Sequence, residues 1–296
     1  MTGIICIDKP RDITSFGVVA KVRGILGEKK AGHTGTLDPM ATGVLPVMLG
    51  GATKFLDFLP YSDKGYRATF LLGKVTDTLD ITGNVIEEHE VYADRQRVEE
   101  TLGRFVGKIY QYPPMFSAKS VDGKRLYDLA RQGIVIEREP CEVEIKKLEL
   151  VKAEGDEYTI DVLCSKGTYI RSLVDDIGRR LGCGAVLTEL QRTLACGFEL
   201  GDCVSLSELQ RRKDEGEGFE DLVLGLDRVY ESYHRVNISE AQTVRFKNGG
   251  ALDITRVKKP PEDGRICTVY SPDNQLLGLG KNDNGELRVL RLLINR

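Results

Sequence analysis

A single carboxylate inside a glycine-rich loop is the group in this 296-residue chain best placed to do chemistry. The stretch Gly32-His33-Thr34-Gly35-Thr36-Leu37-Asp38-Pro39-Met40-Ala41-Thr42-Gly43-Val44-Leu45-Pro46-Val47 frames Asp38 with three glycines, and His33 stands five residues before it. Pro39 biases Asp38 toward extended backbone, and the glycines let main chain approach a bulky partner. The apolar run that follows, 44–49, reads as a buried strand anchoring the loop. Such a loop suits the presentation of a carboxylate to a ligand. An aspartate in a glycine-rich loop also closes Asx-turns and caps helices, and His33 taken alone fits a hydrogen-bonded structural histidine. Spacing by itself leaves both readings open.

Arg171 is the second such group. Ile170, Leu173, Val174, Ile177 and Leu181 line one face of a helix over 169–181. Arg171 falls in its first turn, where the macrodipole disfavours a cation. It either pairs with Asp175 at i+4 or meets an anion beyond the helix.

The chain is long enough for a sizeable core and two domains. Its 41% hydrophobic and 29% charged residues describe an ordinary soluble globular protein. No apolar run reaches the length of a membrane span, and the strand-like Ile4-Ile5-Cys6-Ile7 begins without a signal peptide, so cytoplasm is the expected location. Seven scattered cysteines, none in a Cys-x-x-Cys pair, indicate reduced thiols rather than zinc or disulfides. Net charge is −3, with +3 over 1–54, +4 over 235–296 and therefore −10 between them. Basic ends around an acidic middle allow a cationic groove on part of the surface, while varying solvated faces account for the same numbers.

These groups need elements to position them. Thr14-Ser15 cap an amphipathic helix running to about Gly27, and a short helix follows near 53–59. Tyr66, Ala68, Phe70 and Leu72 alternate as in a strand, with further strands at 84–91, 107–111, 143–152 and 157–165 and helices near 94–104 and 125–132. The polar run 211–218 and the acidic residues to 221 read as an exposed surface turn with no function implied. From about Arg235, short strands alternate with Gly, Pro, Asn and Asp turns, which predicts a small β-barrel.

Taken together, the blocks resemble the TruB family of bacterial tRNA pseudouridine synthases over nearly the whole chain. Asp8-Lys9-Pro10 with Thr14-Ser15 is similar to the family's first motif, although Arg11-Asp12 stands where the family usually has Gly, which touches turn geometry only. The Gly32–Val47 stretch resembles its second motif. Asp63-Lys64-Gly65-Tyr66, then Gly73 with Thr76-Asp77-Thr78 and Asp80, match in order. So do Pro113-Pro114-Met115-Phe116-Ser117-Ala118-Lys119, Lys166-Gly167-Thr168-Tyr169-Ile170-Arg171-Ser172-Leu173, and Leu190, Arg192, Thr193, Gly197 and Phe198.

The resemblance implies an α+β pseudouridine-synthase catalytic fold over 1–234, a mixed, mainly antiparallel sheet flanked by helices, with a PUA-like RNA-binding β-barrel over 235–296. It implies isomerisation of uridine 55 in the tRNA T-loop, a rearrangement that needs no cofactor and no metal; the chain carries no phosphate-binding glycine loop, dinucleotide fingerprint or metal-ligand spacing. It makes Asp38 the nucleophile, Arg171 its salt-bridge partner, and Tyr66 the ring that stacks on the flipped base. Leu190 packs against the base and His33 wedges into the RNA loop, while Lys9, Lys64 and Tyr169 join the RNA-binding set. The expected partner is tRNA, through its T-arm and acceptor arm, with the protein a monomer needing neither membrane nor obligate protein partner. Three alternatives are a non-catalytic RNA-folding module, a guide-RNA-dependent relative, which the bacterial-type motif spacing disfavours, and a glycoside hydrolase using Asp77 or Asp80 as second carboxylate.

Overall fold

The structure, a computed structural model, describes residues 1–117, 119–121 and 123–293. Ala118 of the Pro113–Lys119 motif and residues 294–296 of the C-terminal segment lie outside the described residues. Ten strands form the large sheet: β1 (Gly3–Lys9), β2 (Ala31–His33), β3 (Thr42–Leu49), β4 (Lys64–Leu72) and β5 (Gly107–Gln111) come first. β6 (Cys141–Glu154), β7 (Glu157–Cys164), β8 (Ala185–Ala195), β9 (Phe198–Glu199) and β10 (Val204–Ser205) complete it. Their order is β10-β1-β3-β8-β4-β7-β6-β5, with β2 on β3 and β9 on β8. All pairings are antiparallel except β1 with β10 and β3 with β8. The sheet is therefore mixed and mainly antiparallel, as the resemblance implies.

β1 and β3 are buried on both faces, which is why they read as unbroken apolar runs. Ile5, Ile7, Leu45 and Val47 pack under α1 (Ser15–Leu26), while Ile4, Cys6 and Met48 face the other way. Thr14 caps α1 by accepting from Gly17 N at 2.9 Å, and Gly27 ends it in the left-handed region. On the other half of the sheet, Ile170, Leu173, Val174 and Ile177 of α4 (Ile170–Leu181) pack with Val98 and Leu102 of α2 (Arg95–Gly103) onto Ala68, Phe70, Ile160 and Val162. Gly178 lets α4 sit directly on β8, since a Cβ there would lie 2.2 Å from Ala185 N.

Three elements differ from the sequence expectation. β8, at the centre of the sheet, was not expected: register shifts between Leu187 and Glu189 and between Arg192 and Leu194 break its alternation, and Arg192 is wholly buried on it. The expected turn at 211–218 begins inside a helix, α5 (Leu206–Glu215), capped by Ser205 and closed by Gly216. Glu208, Glu215 and Glu217 all pair with Arg211 across it, so its polarity is an exposed ion-pair face. The segment near 53–59 is a 3₁₀ run, Gly50–Phe58, while the helix expected near 125–132 is present as α3 (Leu126–Ala130).

A second, five-stranded curled sheet holds β11 (His234–Asn237), β12 (Leu252–Asp253), β13 (Ile266–Tyr270), β14 (Leu276–Asp283) and β15 (Glu286–Leu292), in the order β11-β13-β14-β15-β12. It has its own core around Val236, Phe246, Val269 and Leu287. Its Tyr270, Leu276 and Leu279 join Ile4, Met48, Phe55 and Tyr230 in a cluster shared with the large sheet. No helix among the described residues is long and apolar enough to cross a membrane.

Candidate active site

The loop carrying Asp38 is held almost entirely by buried side chains acting on its backbone. Ser15 Oγ accepts from Leu37 N at 2.8 Å and donates to Leu37 O at 2.9 Å. Lys9, with no exposed surface, donates its ammonium to the carbonyls of Pro10, Pro39 and Ala41 at 2.9, 3.1 and 2.6 Å. Arg192, equally buried, donates to the carbonyls of Val44, Gly35 and Thr36 at 2.7, 3.1 and 3.4 Å. Gly43, at φ 98°, brings β3 against Arg192, where any Cβ would stand 2.2 Å from the Arg192 carbonyl. Asp12 adopts φ 64° in the neighbouring turn, so the departure from the family's glycine falls at a left-handed position that aspartate tolerates.

This arrangement corrects one expectation. The resemblance puts Lys9 in the RNA-binding set, but an ammonium has three donors, and all three are spent on carbonyls inside the protein. It positions the loop and does not reach the surface.

Arg171 grips Asp38 from α4. Its Nε lies 2.9 Å from Asp38 Oδ2 and its Nη2 donates to Oδ1 at 3.2 Å, a two-point ion pair. The remaining donors go to the carbonyls of Thr78 at 3.1 Å and Phe116 at 2.8 Å. Asp175, the i+4 alternative, pairs with Arg179 instead. Gln111 anchors the helix start, accepting from Tyr169 N at 3.0 Å and donating to Tyr169 O at 3.3 Å.

A second carboxylate stands behind this pair. Asp80 Oδ2 is 3.6 Å from Arg171 Nη1, and its Oδ1 accepts from Thr78 Oγ1 at 2.9 Å and Thr82 N at 3.0 Å. Asp80 is buried, shares the guanidinium with Asp38 and lines only the second of the two cavities that meet at the pair. Asp77 is turned away onto Asn84. Sequence proximity alone had offered both; only the fold separates them.

Two cavities of about 370 Å³ each open on either side of Asp38 and Arg171. The first is floored by Tyr66 and Leu190 and walled by Lys64, Tyr169 and Lys119. Six expected residues therefore meet there: Asp38, Tyr66, Arg171, Lys64, Tyr169 and Leu190. His33 does not; it stands on β2, paired with Val47, its Nδ1 buried and unpartnered among the described residues. Ser117, quoted only as part of a motif, lines both cavities. Arg192 and Ser117 are the site residues that spacing gave no means to single out.

Burial raises the Asp38 carboxyl above its ordinary value and Asp80 adds to this, while Arg171 pulls the other way without cancelling it. A third of the side chain remains open to the cleft. Burial pushes the Tyr66 phenol up to about 12, so it stays protonated at neutral pH and acts as a donor, not a base. Burial lowers His33, with Arg192 adding to it, which keeps the imidazole neutral. It lowers Lys64 too. The first cavity sets one carboxylate, Asp38, among Arg171, Lys64 and Lys119 and beside the Tyr66 ring, which suits a nucleophile or base acting on a flat, base-sized ligand.

Known proteins match this chain in sequence and in fold. The TruB family pseudouridylate synthase N-terminal domain matches residues 23–170, the tRNA pseudouridylate synthase B C-terminal domain residues 171–230, and the pseudouridine synthase II TruB C-terminal domain residues 235–293. The tRNA pseudouridine synthase B of Stutzerimonas stutzeri strain A1501 is 43% identical over 296 residues, covering 99% of this chain and 96% of that one. The protein of the same name from Chromobacterium violaceum is also 43% identical, covering 99% and 95%. Among solved structures, an H/ACA RNP bound to a substrate RNA containing 2′-deoxyuridine superposes with a TM-score of 0.75 at 24% identity, covering all of this chain and 86% of that chain. A Cbf5-Nop10-Gar1 complex gives 0.73 at 25%, covering all of this chain and 84% of that chain. Family models, full-length identity and fold agree: the chain belongs to the TruB family of pseudouridylate synthases.

Proposed function

We propose that this protein converts the uridine at position 55 of the tRNA T-loop to pseudouridine, with Asp38 as the group that starts the reaction. The observation that carries the reading is the two-point Arg171 clamp on Asp38 at 2.9 and 3.2 Å, set over a cavity floored by Tyr66 and Leu190. Relatives 43% identical over the full chain, named tRNA pseudouridine synthase B, supply tRNA as the substrate class.

The reaction is an isomerisation. The N1–C1′ bond breaks, the uracil turns, a C5–C1′ bond forms, C5 loses its proton and N1 gains one. Asp38 begins it as a carboxylate, whether by attacking C1′, adding to C6 or removing the 2′ proton. The target base leaves its stack to enter the cavity, lies on Tyr66 and packs against Leu190. The Tyr66 phenol, held neutral by burial, offers a proton-donating hydroxyl to the base. His33, neutral and beside the cavity rather than in it, fits a wedge that fills the space vacated in the loop. Lys64 and Tyr169 line the entry and meet the target nucleotide. Residues 235–296 act as the RNA-binding domain toward the acceptor arm, and the protein works on free tRNA as a cytoplasmic monomer.

The test uses an unmodified tRNA transcript with tritium at uracil C5. Purified protein should release tritium from one T-loop uridine with nothing added. Asp38→Asn should abolish release and leave tRNA affinity within about threefold, because the swap preserves shape and removes only charge. Release by the Asn variant at the wild-type rate sinks the assignment of Asp38, and no release by the wild type points to an RNA-folding module instead.

A further inference from the structure

One polar group at the site has no task in the reaction as described. Ser117 is 5% exposed, and among the described residues its hydroxyl has no hydrogen-bond partner. Buried hydroxyls are almost always paired, and an unpaired one is costly to keep. The backbone nevertheless pins it beside the nucleophile. Arg171 Nη2 donates both to Asp38 Oδ1 and to the carbonyl of Phe116, the residue before it, and the Ser117 carbonyl accepts from Tyr127 N at 3.0 Å.

The two cavities show which part of a nucleoside would reach it. Tyr66 and Leu190 line only the first cavity, whereas Asp38 and Ser117 line both. A uracil lying on Tyr66 fills the first cavity. The bond to be broken joins its N1 to C1′, so C1′ lies at Asp38, on the boundary between the cavities. The hydrogen-bonding group attached next to C1′ is the ribose 2′-hydroxyl.

Building on the uridine-isomerase reading, we propose that Ser117 Oγ hydrogen-bonds the 2′-hydroxyl of the target nucleotide and selects ribose over deoxyribose there. Two hydroxyls match in either direction, since each both donates and accepts. The 2′-hydroxyl is the group by which a protein distinguishes RNA from DNA at a single residue. A site built to hydrogen-bond a substrate hydroxyl rejects the analogue that lacks it, because its own buried group is then left unpaired.

The experiment is a cycle of two proteins and two substrates. Wild type and Ser117→Ala are each given the tritiated transcript with uridine or 2′-deoxyuridine at the target position, and single-turnover release is measured. On the ribose transcript Ser117→Ala should be slower by roughly 10- to 100-fold, the range expected for a lost buried hydrogen bond. On the deoxy transcript it should match wild type within about twofold, since the partner is already gone. If the deoxy transcript releases nothing from either protein, the same cycle is read on dissociation constants in the Asp38→Asn background. Equal losses on both substrates overturn the proposal, as does an unchanged rate on ribose. Ser117→Thr, which keeps the hydroxyl, should retain the preference for ribose; this decides the matter if the alanine variant fails to fold, and loss of that preference overturns it. No release by wild type from the ribose transcript defeats the isomerase reading and this contact with it. Release with equal losses defeats the contact alone.

Discussion

Asp38 and Arg171 act as one unit, and the pH dependence of the reaction should report on both. Burial holds the carboxyl above its ordinary range, and Arg171 is the largest influence pulling it down. In the proposed reaction the reacting form is the anion, so release should fall as pH drops through this raised value and stay level above it. Removing the guanidinium in Arg171→Ala takes away the downward pull, so the acid limb should move to higher pH, with a rate loss of roughly 100-fold or more for a group that holds Asp38 in place. Arg171→Lys keeps the charge but loses the fork, so its acid limb should move less than that of the alanine variant while the rate still falls. A pH–rate profile under single-turnover conditions checks both, and an unmoved limb in Arg171→Ala would show that the profile does not read Asp38. Little of this unit was legible from residue types. The misplaced cation at a helix start signalled that an anion lay beyond the helix, but its pairing with Asp38 rested on family resemblance. Lys9 entered the RNA-binding set through the resemblance alone, and nothing in its residue type shows that the carbonyls of a tight loop draw its ammonium inward.

At the scale of elements, legibility followed how cleanly burial repeats along the chain. α4 was readable because its apolar spacing follows one helical face, and β3 because both its faces are covered. β8 was not, because two register shifts scramble its alternation and the largest side chain it buries is an arginine. That strand is nonetheless the one that joins Asp38's loop to Tyr66's strand: Gln191 and Arg192 pair with Thr42 and Gly43 on one side, and Leu190 and Arg192 with Ala68 and Tyr66 on the other. The β3–β8 junction should therefore be the least tolerant point of the site. Gly43→Ala places a Cβ 2.2 Å from the Arg192 carbonyl at a φ of 98°. It should lower stability by about 3 kcal/mol or more, as strained-backbone and overpacked positions do. Tritium release should fall further than tRNA affinity. Urea unfolding and the release assay measure the two, and a variant with wild-type stability would mean that β3 can move away from β8 without cost.

Across the whole molecule the two sheets share a core, because Tyr270, Leu276 and Leu279 of the smaller one pack with Ile4, Met48 and Phe55 of the larger. The Tyr230 hydroxyl donates to the Phe55 carbonyl at 2.7 Å within the same cluster. Heat should therefore unfold the protein in one transition, and Leu279→Asp, which puts a charge into that shared core, should divide it into two by scanning calorimetry. A single transition in the variant would show that the sheets are coupled elsewhere. The turn rhythm after Arg235 announced a separate β-rich unit, but no local pattern marks a contact between residues more than 200 positions apart. Distance along the chain has one more consequence, in time. Asp38 and its clamp are 133 residues apart. At a synthesis rate of about 5–20 residues per second, the carboxylate is made roughly 7 to 27 s before the guanidinium exists. Every nascent chain spends that interval with Asp38 made and its site unassembled, so the enzyme is born inert and acquires its chemistry only when the catalytic sheet closes.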